Sequence, residues 1–166
     1  VRPAALAGLG YASDPTTLTK EIDGYLTHKL DRSRPIQQLV GLKSPHIDYR
    51  RGHISYGISY NNLRGATHDL YVLIGTSHQY SRHLFHLTSK DFASPLGPLL
   101  TDAALVTDIS NSYGKERSFA DEILHRREHS LELQLPFLKR MVAQPRILPI
   151  LVGSFQHMIS AARLPN

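Results

Sequence analysis

Two histidines follow apolar runs of the kind that form buried strands. Residues 70–74 are a continuous apolar run, and His78 comes four residues later. Residues 36–42 are a second strand-like run, and His46 again comes four residues later. Because ligands in open α/β sheets gather beyond the carboxyl ends of the strands, we expect the two imidazoles to face one crevice. There they could hold a single metal ion.

The metal that two histidines bind is not fixed by the histidines alone. Neutral imidazole suits iron, zinc and copper alike, and two histidines with one carboxylate are the usual non-haem Fe(II) arrangement. The nearest carboxylate is Asp48, two residues after His46. Asp48 could ligate the metal, orient a histidine from outside the ligand set, or simply cap its loop. Fe(II) is therefore our first expectation, with copper or zinc as alternatives.

A third histidine stands at the start of a helical pattern. Glu128 and His129 precede it, and an acid at this point interacts favourably with the helix dipole, which is a purely structural explanation for Glu128. A second-shell position beside the metal is the alternative for Glu128. His129 is the candidate catalytic residue, since an imidazole near the strand ends can act as an acid or a base. Tyr49 could donate a hydrogen bond into the crevice or pack in the core.

Composition narrows the class of protein. The chain has 166 residues, of which 41% are apolar and 20% charged, as is ordinary for one globular domain. Its net charge is +5, but the basic residues form no stripe interleaved with aromatics, which disfavours a nucleic-acid partner. A small anionic molecule would fit this charge equally well.

The sequence also disfavours cysteine-based sites and a location in the membrane. There is no cysteine, so neither a disulfide framework nor thiolate chemistry is expected. No apolar run approaches the ~20 residues of a membrane span, and we expect a cytoplasmic protein. The chain begins at Val1 and ends soon after a strand-like segment, so we expect one domain over residues 1–166 that lacks its C-terminal part.

Local patterns predict helices between the strands. Asp14 and Pro15 are favoured at a helix start, and an apolar residue recurs every fourth position until Arg34-Pro35 ends the segment. Further helices are predicted over residues 54–63, from Asp102 onward, and from the capping-box sequence at 118–121. The last helical pattern spans residues 131–142, and Pro136 predicts a kink or a boundary within it.

Three predicted strands set the fold class. They lie at residues 36–42, 70–74 and 147–153, and Pro149 favours an edge position or a strand start for the last of them. Strands that alternate with helices typically build a parallel sheet covered by helices. We therefore expect an α/β fold with a mostly parallel sheet and helices on both faces.

Five short motifs occur in the order found in one known family. They are Pro-His-Ile-Asp-Tyr-Arg-Arg-Gly at 45–52, Gly-Thr-Ser-His at 75–78, Ser-Pro-Leu-Gly at 94–97, Glu-His-Ser-Leu-Glu at 128–132 and Leu-Pro-Ile-Leu-Val-Gly at 148–153. This ordered set resembles the Memo family, also called AmmeMemoRadiSam system protein B. The resemblance covers essentially the whole chain, but only the first half to two-thirds of a typical member.

The resemblance carries its own expectations. The Memo family is similar in structure to the class III extradiol ring-cleaving dioxygenases, which use non-haem Fe(II), and it implies metal-site positions for His46 and His78. The family's usual Pro-His-Ala-Gly-Tyr is Pro-His-Ile-Asp-Tyr here, and its Gly-Pro-Ser-His is Gly-Thr-Ser-His, but both histidines are kept. The family's further site residues lie in a part that this sequence lacks, so the resemblance names no third ligand.

The predicted metal site is compatible with two functions of different classes. The first is a metal-dependent, dioxygenase-like oxidoreductase acting on a small molecule, which needs a complete ligand set and a group that transfers protons. The second is a non-enzymatic adaptor that binds a redox metal or a peptide, which needs an exposed groove. An inactive remnant is a third alternative, and the oligomeric state stays open.

Overall fold

The computed structural model describes residues 1–29, 39–65 and 68–155. Within these ranges two α-helices are followed by three strands, then by four α-helices and a last strand. The helices are α1 (Pro15–Tyr25), α2 (Tyr49–Tyr60), α3 (Ala103–Tyr113), α4 (Lys115–Phe119), α5 (His129–Glu132) and α6 (Leu135–Met141), with 3-10 turns at Asn61–Leu63 and Glu122–Arg126. The strands are β1 (Tyr71–Thr76), β2 (Phe85–Leu87), β3 (Leu100–Thr101) and β4 (Arg146–Val152).

Strand β4 is the centre of a mixed sheet. It pairs in parallel with β1 from Tyr71↔Ile147 to Thr76↔Val152, and in parallel with β3. It pairs antiparallel with β2. The α/β class is confirmed, whereas the prediction of a mostly parallel sheet is wrong. The link from β1 to β2 is only residues 77–84, which is too short for the crossover that parallel strands need, so β2 runs back along β4.

Pro149 lies in the middle of this central strand, so neither the predicted edge position nor the predicted strand start is correct. On one side of β4, strand β3 pairs as far as Ile147 and β2 begins at Ile150. The Ile147 carbonyl accepts from the Asp102 amide on this side, and residues two apart in a strand face the same side. The backbone nitrogen of Pro149 therefore points into the interval between β3 and β2, where no ladder hydrogen bond is lost.

Helices cover both faces of β4, as predicted. On one face, Ile147 packs in a core with Leu18 and Ile22 of α1 and with the aromatic residues of α2 and α6. On the other face, Leu148 packs with Val106 of α3. Because side chains alternate along a strand, β4 is buried on both sides. Its sequence accordingly reads as a continuous apolar run.

The helix boundaries agree with the sequence predictions only in part. The Asp14 side chain caps α1 by accepting from the Thr17 amide, as predicted, but α1 ends at Tyr25 and not at Arg34. Asp48 caps α2 in the same way, so this helix begins earlier than the predicted residue 54. Pro136 does mark a boundary, since it lies in the first turn of α6.

Two other local predictions fail. Ser118 does not start a helix but lies inside α4, where its hydroxyl donates to the Gly114 carbonyl. Part of the predicted strand at residues 36–42 lies outside the described residues, and residues 39–42 lie in no strand.

Among the described residues, no helix is long and apolar enough to cross a membrane.

The contact between α1 and α2 depends on a glycine. A Cβ on Gly57 would overlap the carbonyl oxygen of Tyr25, whereas a Cβ on Gly24 would meet nothing within 4 Å. We expect Gly57→Ala to lower the free energy of unfolding by about 1–3 kcal/mol through overpacking. The matched control Gly24→Ala should raise it by up to about 1 kcal/mol, because alanine is the better helix former.

Urea unfolding of both variants checks this contact. Equal midpoints for Gly57→Ala and the unaltered protein would show that α2 is not held against the end of α1.

Candidate metal centre

Three histidines that are far apart in the sequence meet at one point. One ligand atom from each of His46, His78 and His129 lies within 4.8 Å of the other two. The ring centroids of His78 and His129 are 4.3 Å apart, and His46 lies 5.2 Å from His78 and 5.6 Å from His129. The structure thus brings the two predicted ligands together and adds His129 to them.

The ends of the two parallel strands position this group. His78 follows β1 by two residues, and the Ser77 amide donates to the Val152 carbonyl at the end of β4. His129 is the first residue of α5, and His46 lies in the loop before α2. The centre therefore stands at the carboxyl ends of β1 and β4, which is where the sequence predicted a crevice.

Glu128 connects two of the three histidines. Its Oε1 accepts from the Nδ1–H of His78 at 2.9 Å and lies 3.2 Å from Nδ1 of His129. The amide of His129 donates to Oε1, and the amide of His78 donates to Oε2. An imidazole whose Nδ1–H is held by a carboxylate keeps its Nε2 lone pair free for a metal. Glu128 thus orients the His78 ring and lies beside the His129 ring.

The surroundings of Glu128 and His129 favour the charge states that a metal site needs. Burial raises the pKa of Glu128, but hydrogen bonds from the amides of His78 and Ser130 and from the His78 ring outweigh it and hold this pKa below its ordinary range. Burial lowers the pKa of His129; the neighbouring His78 and His46 lower it further, and Glu128 opposes them. The carboxylate is therefore ionised, and the His129 ring is neutral, near pH 7.

The close approach of α5 to β1 depends on the absence of a side chain at Gly75. A Cβ there would lie 2.6 Å from Ser130 Oγ and 2.7 Å from a methyl of Leu131. The Ser130 hydroxyl donates to the Thr76 carbonyl at 2.8 Å, which ties the first turn of α5 to the end of β1. This packing sets the distance between His78 and His129.

The loop that carries His46 is held from two sides. The side-chain amide of Gln134 donates to the Pro45 carbonyl, and the Tyr56 hydroxyl donates to the Ile47 carbonyl. Sequence reasoning missed Gln134 and Ser130. The only available signal was their position in and just after the Glu-His-Ser-Leu-Glu motif.

Two further candidates lie away from the three rings. Asp48 accepts from the backbone and the guanidinium of Arg51, so it caps α2 and is not one of the grouped ligands. Tyr49 is buried, donates to the Leu133 carbonyl and stacks edge-on against Phe137. Of the alternatives left open by the sequence, capping and packing are the ones seen for these two residues.

Another pair of histidines is buried elsewhere. His86 and His125 are almost fully buried, and a ring nitrogen of His125 donates to the His86 carbonyl at 3.0 Å. Both ring nitrogens of His86 lack a hydrogen-bond partner among the described residues. Burial lowers the pKa of His125 to about 4, with the His86 carbonyl opposing this shift. These two rings are buried apart from the three grouped histidines.

Comparisons with known proteins show which family the chain belongs to. The model of the family described as Memo-like protein matches residues 2–163. The chain belongs to the Memo-like family. A MEMO1 family protein of Methanosarcina barkeri is 34% identical over 155 residues, and that of Aquifex aeolicus is 26% identical over 152. Each match covers 92% of this chain, but only 55% and 39% of these two relatives. The chain thus spans about half the length of the curated relatives it matches, and the resemblance read from the motifs is confirmed.

Gly75 gives a test of the packing that sets the site. We expect Gly75→Ala to lower the free energy of unfolding by about 1–3 kcal/mol, because the methyl group overpacks against Ser130 and Leu131. The matched control is Gly41→Ala, where an added Cβ meets nothing within 4 Å. Chemical unfolding of both variants measures the difference. Similar losses at the two positions would contradict the close contact between α5 and β1.

The buried His125 predicts acid sensitivity. Its pKa is about 4 in the fold, against 6.5 for the free side chain, so the unfolded chain binds the proton first as the pH falls. This contribution to stability is complete above pH 6.5 and is lost between pH 6.5 and about 4, by an amount on the order of 3 kcal/mol. Urea midpoints across this range measure the loss.

His125→Gln is the control, since it keeps a donor for the His86 carbonyl but cannot titrate. The variant should lose clearly less stability than the unaltered protein between pH 6.5 and 4. Parallel curves for the two proteins would show that His125 does not carry the acid sensitivity.

Proposed function

We propose that this chain binds a divalent first-row metal ion through His46, His78 and His129. The convergence of three ligand atoms within 4.8 Å carries the proposal. Fe(II) is the first candidate, and copper and zinc are the alternatives, since neutral imidazole suits all three.

The donor set fits such an ion. Glu128 leaves Nε2 of His78 free, and the neutral His129 ring offers a lone pair. Within the described residues the group contains histidines alone, because Glu128 is engaged with the rings and Asp48 with Arg51. This differs from the two-histidine, one-carboxylate face expected for Fe(II), and three histidines with an open position also occur in catalytic zinc sites. The metal therefore has to be identified by direct measurement.

We propose further that the centre serves a metal-dependent, dioxygenase-like oxidoreductase with a small-molecule substrate. His46 and His78 are exposed and His129 is half-buried, so the face of the centre opposite Glu128 is open to a ligand. A bound metal ion would supply Lewis-acid or one-electron chemistry at its open positions. The chain's own contribution is orientation: Glu128 holds the His78 ring and the His129 backbone amide, and Gln134 holds the loop of His46.

One observation favours the non-enzymatic alternative, a redox-metal-binding adaptor. The two groups best placed to transfer protons are already engaged. Glu128 is held as a carboxylate by several hydrogen bonds, and His129 belongs to the ligand group. A ligated imidazole cannot also act as the general base that the sequence suggested for His129.

Anaerobic calorimetry with Fe(II) tests the metal proposal. We expect one ion per chain, and at least about a tenfold loss of affinity in His46→Ala, His78→Ala and His129→Ala, because each variant removes one of three ligands. His53→Ala is the matched control, since His53 lies outside the group and should leave binding unchanged.

The same titration with Zn(II) and Cu(II) ranks the metals. Absence of binding by all three ions in a folded chain would refute the metal centre. Binding that survives all three site substitutions would place the ion elsewhere. With metal bound, oxygen uptake in the presence of candidate small molecules separates the enzyme from the adaptor.

A further inference from the structure

The side-chain amide of Gln134 joins the loop of His46 to the segment that carries His129. Its Nε2 donates to the Pro45 carbonyl at 2.9 Å and to the Ser130 carbonyl at 3.1 Å. Pro45 directly precedes His46, and Ser130 directly follows His129. One planar amide therefore sets the distance between the backbones beside two of the three grouped histidines.

The other hydrogen bonds of this loop lead back to its own helix. The Ser59 hydroxyl donates to the Lys43 carbonyl at 2.8 Å, and the Tyr56 hydroxyl donates to the Ile47 carbonyl at 2.9 Å. Both donors lie on α2, so they hold the loop against α2 alone. Among the hydrogen bonds of the described residues, the bond from Gln134 is the one that joins residues 43–47 to the segment of His129.

Tyr60 fixes the direction in which the Gln134 amide points. A glutamine amide has an acceptor at one end and a donor at the other, with almost the same shape. The carbonyls of Pro45 and Ser130 can only accept, so the nitrogen has to face them. The oxygen Oε1 then faces Tyr60, whose hydroxyl donates to it at 3.0 Å. Each end of the amide thus has the partner that its chemistry requires.

The Tyr60 hydroxyl is held in place as a permanent donor. The side chain is 3% exposed, and its ring stacks on Phe137 with centroids 5.1 Å apart. Burial raises the pKa of Tyr60, and the neighbouring Tyr56 raises it further, so the hydroxyl keeps its proton. A polar atom that is shielded from water and has no partner costs free energy. Loss of this hydroxyl would therefore favour rotation of the Gln134 amide away from Pro45.

We propose that Tyr60 is a positioning residue for the metal centre and acts through Gln134. The Tyr60 hydroxyl sets the direction of the amide, and the amide brings His46 to the other two ligands. This inference rests on the proposed function. Glu128 already holds the other two histidines, one by its ring and one by its backbone amide, so His46 is the ligand whose position depends on Gln134.

Tyr49 provides a matched control. It lies on α2 like Tyr60 and is 1% exposed, and its hydroxyl donates at 2.7 Å to the carbonyl of Leu133, next to Gln134. Tyr49→Phe and Tyr60→Phe thus each remove one buried hydroxyl that joins α2 to the same part of the chain. The two variants differ in that the Tyr60 hydroxyl meets the Gln134 amide.

Hydrogen exchange followed by NMR tests the amide in the metal-free protein. We expect the side-chain NH₂ protons of Gln134 to exchange more slowly than those of the exposed Gln79. Tyr60→Phe should bring the rate closer to that of Gln79, whereas Tyr49→Phe should leave it slow. Equal rates for Gln134 and Gln79 in the unaltered protein, or equal effects of the two variants, would overturn the proposal.

Titration with Zn(II) tests the link to the site. Tyr60→Phe and Gln134→Met should each weaken binding about tenfold, because support of a ligand is lost. Gln134→Met keeps the length of the side chain but cannot donate, and Tyr49→Phe should bind as the unaltered protein does. Urea unfolding of the same variants shows that they are folded. Equal affinities for Tyr60→Phe and Tyr49→Phe would contradict a positioning role.

A double variant tests whether Tyr60 acts through Gln134. Tyr60→Phe combined with Gln134→Met should bind Zn(II) no more weakly than Gln134→Met alone, because the two residues form one connection. Additive losses would overturn the proposed route. If the unaltered chain binds no Zn(II), the proposed function fails and the positioning role fails with it. If the unaltered chain and Tyr60→Phe bind equally, the metal centre stands and only the positioning role fails.

Discussion

The guanidinium of Arg2 holds together the segment on which the site depends. Arg2 is almost fully buried. It donates hydrogen bonds to three residues between the 3-10 turn at Glu122–Arg126 and the end of α5. Its Nε reaches the His125 carbonyl at 2.8 Å, one terminal nitrogen reaches the Glu128 carbonyl at 2.9 Å, and the other pairs with the Glu132 carboxylate. His129 lies inside this span. The placement of the third imidazole is therefore set by a residue at the other end of the chain.

Glu132 extends the same connection to the N-terminal turn. Its Oε1 accepts from the Tyr11 hydroxyl and from the Leu6 amide, and its Oε2 accepts from the Ala5 amide. Burial, with the carboxylate beside it, raises the pKa of Tyr11 far above its ordinary value. A buried charge costs free energy unless it is paired and hydrogen-bonded, and here both conditions are met. A buried hydrogen-bond network therefore joins the N-terminal residues to α5.

The sequence predicted the features that depend on local chemistry. The apolar run before His78, the capping residue Asp14 and the boundary at Pro136 each depend on a few neighbouring residues, so one sequence suffices to predict them. The resemblance to the Memo family rested on motif order and was correct. His78 follows β1 as predicted, and it meets His46 although the strand predicted before His46 is not seen over residues 39–42.

Features that depend on long-range packing were missed. The direction of β2 follows from the sheet that it joins, and Ser118 is helical because Gly114 and its neighbours turn the chain just before it. The role of Glu128 between two rings needs α5 to lie against β1, which depends on Gly75. The residues around Glu128 give no sign that α5 packs against Gly75. The sequence could therefore suggest a carboxylate near the site, but not that it binds His78.

Pro149 shows how a central strand accommodates a residue that strands usually exclude. Its missing donor falls in the interval between two short neighbours, so the folded sheet gives up no hydrogen bond there. In the unfolded chain the pyrrolidine ring removes conformations that any other residue would retain. Substitutions of this kind alter stability by about 0.4–1 kcal/mol through the unfolded ensemble. Pro149, which lies in the interval between β3 and β2, therefore also restricts the conformations of the unfolded chain before the sheet forms.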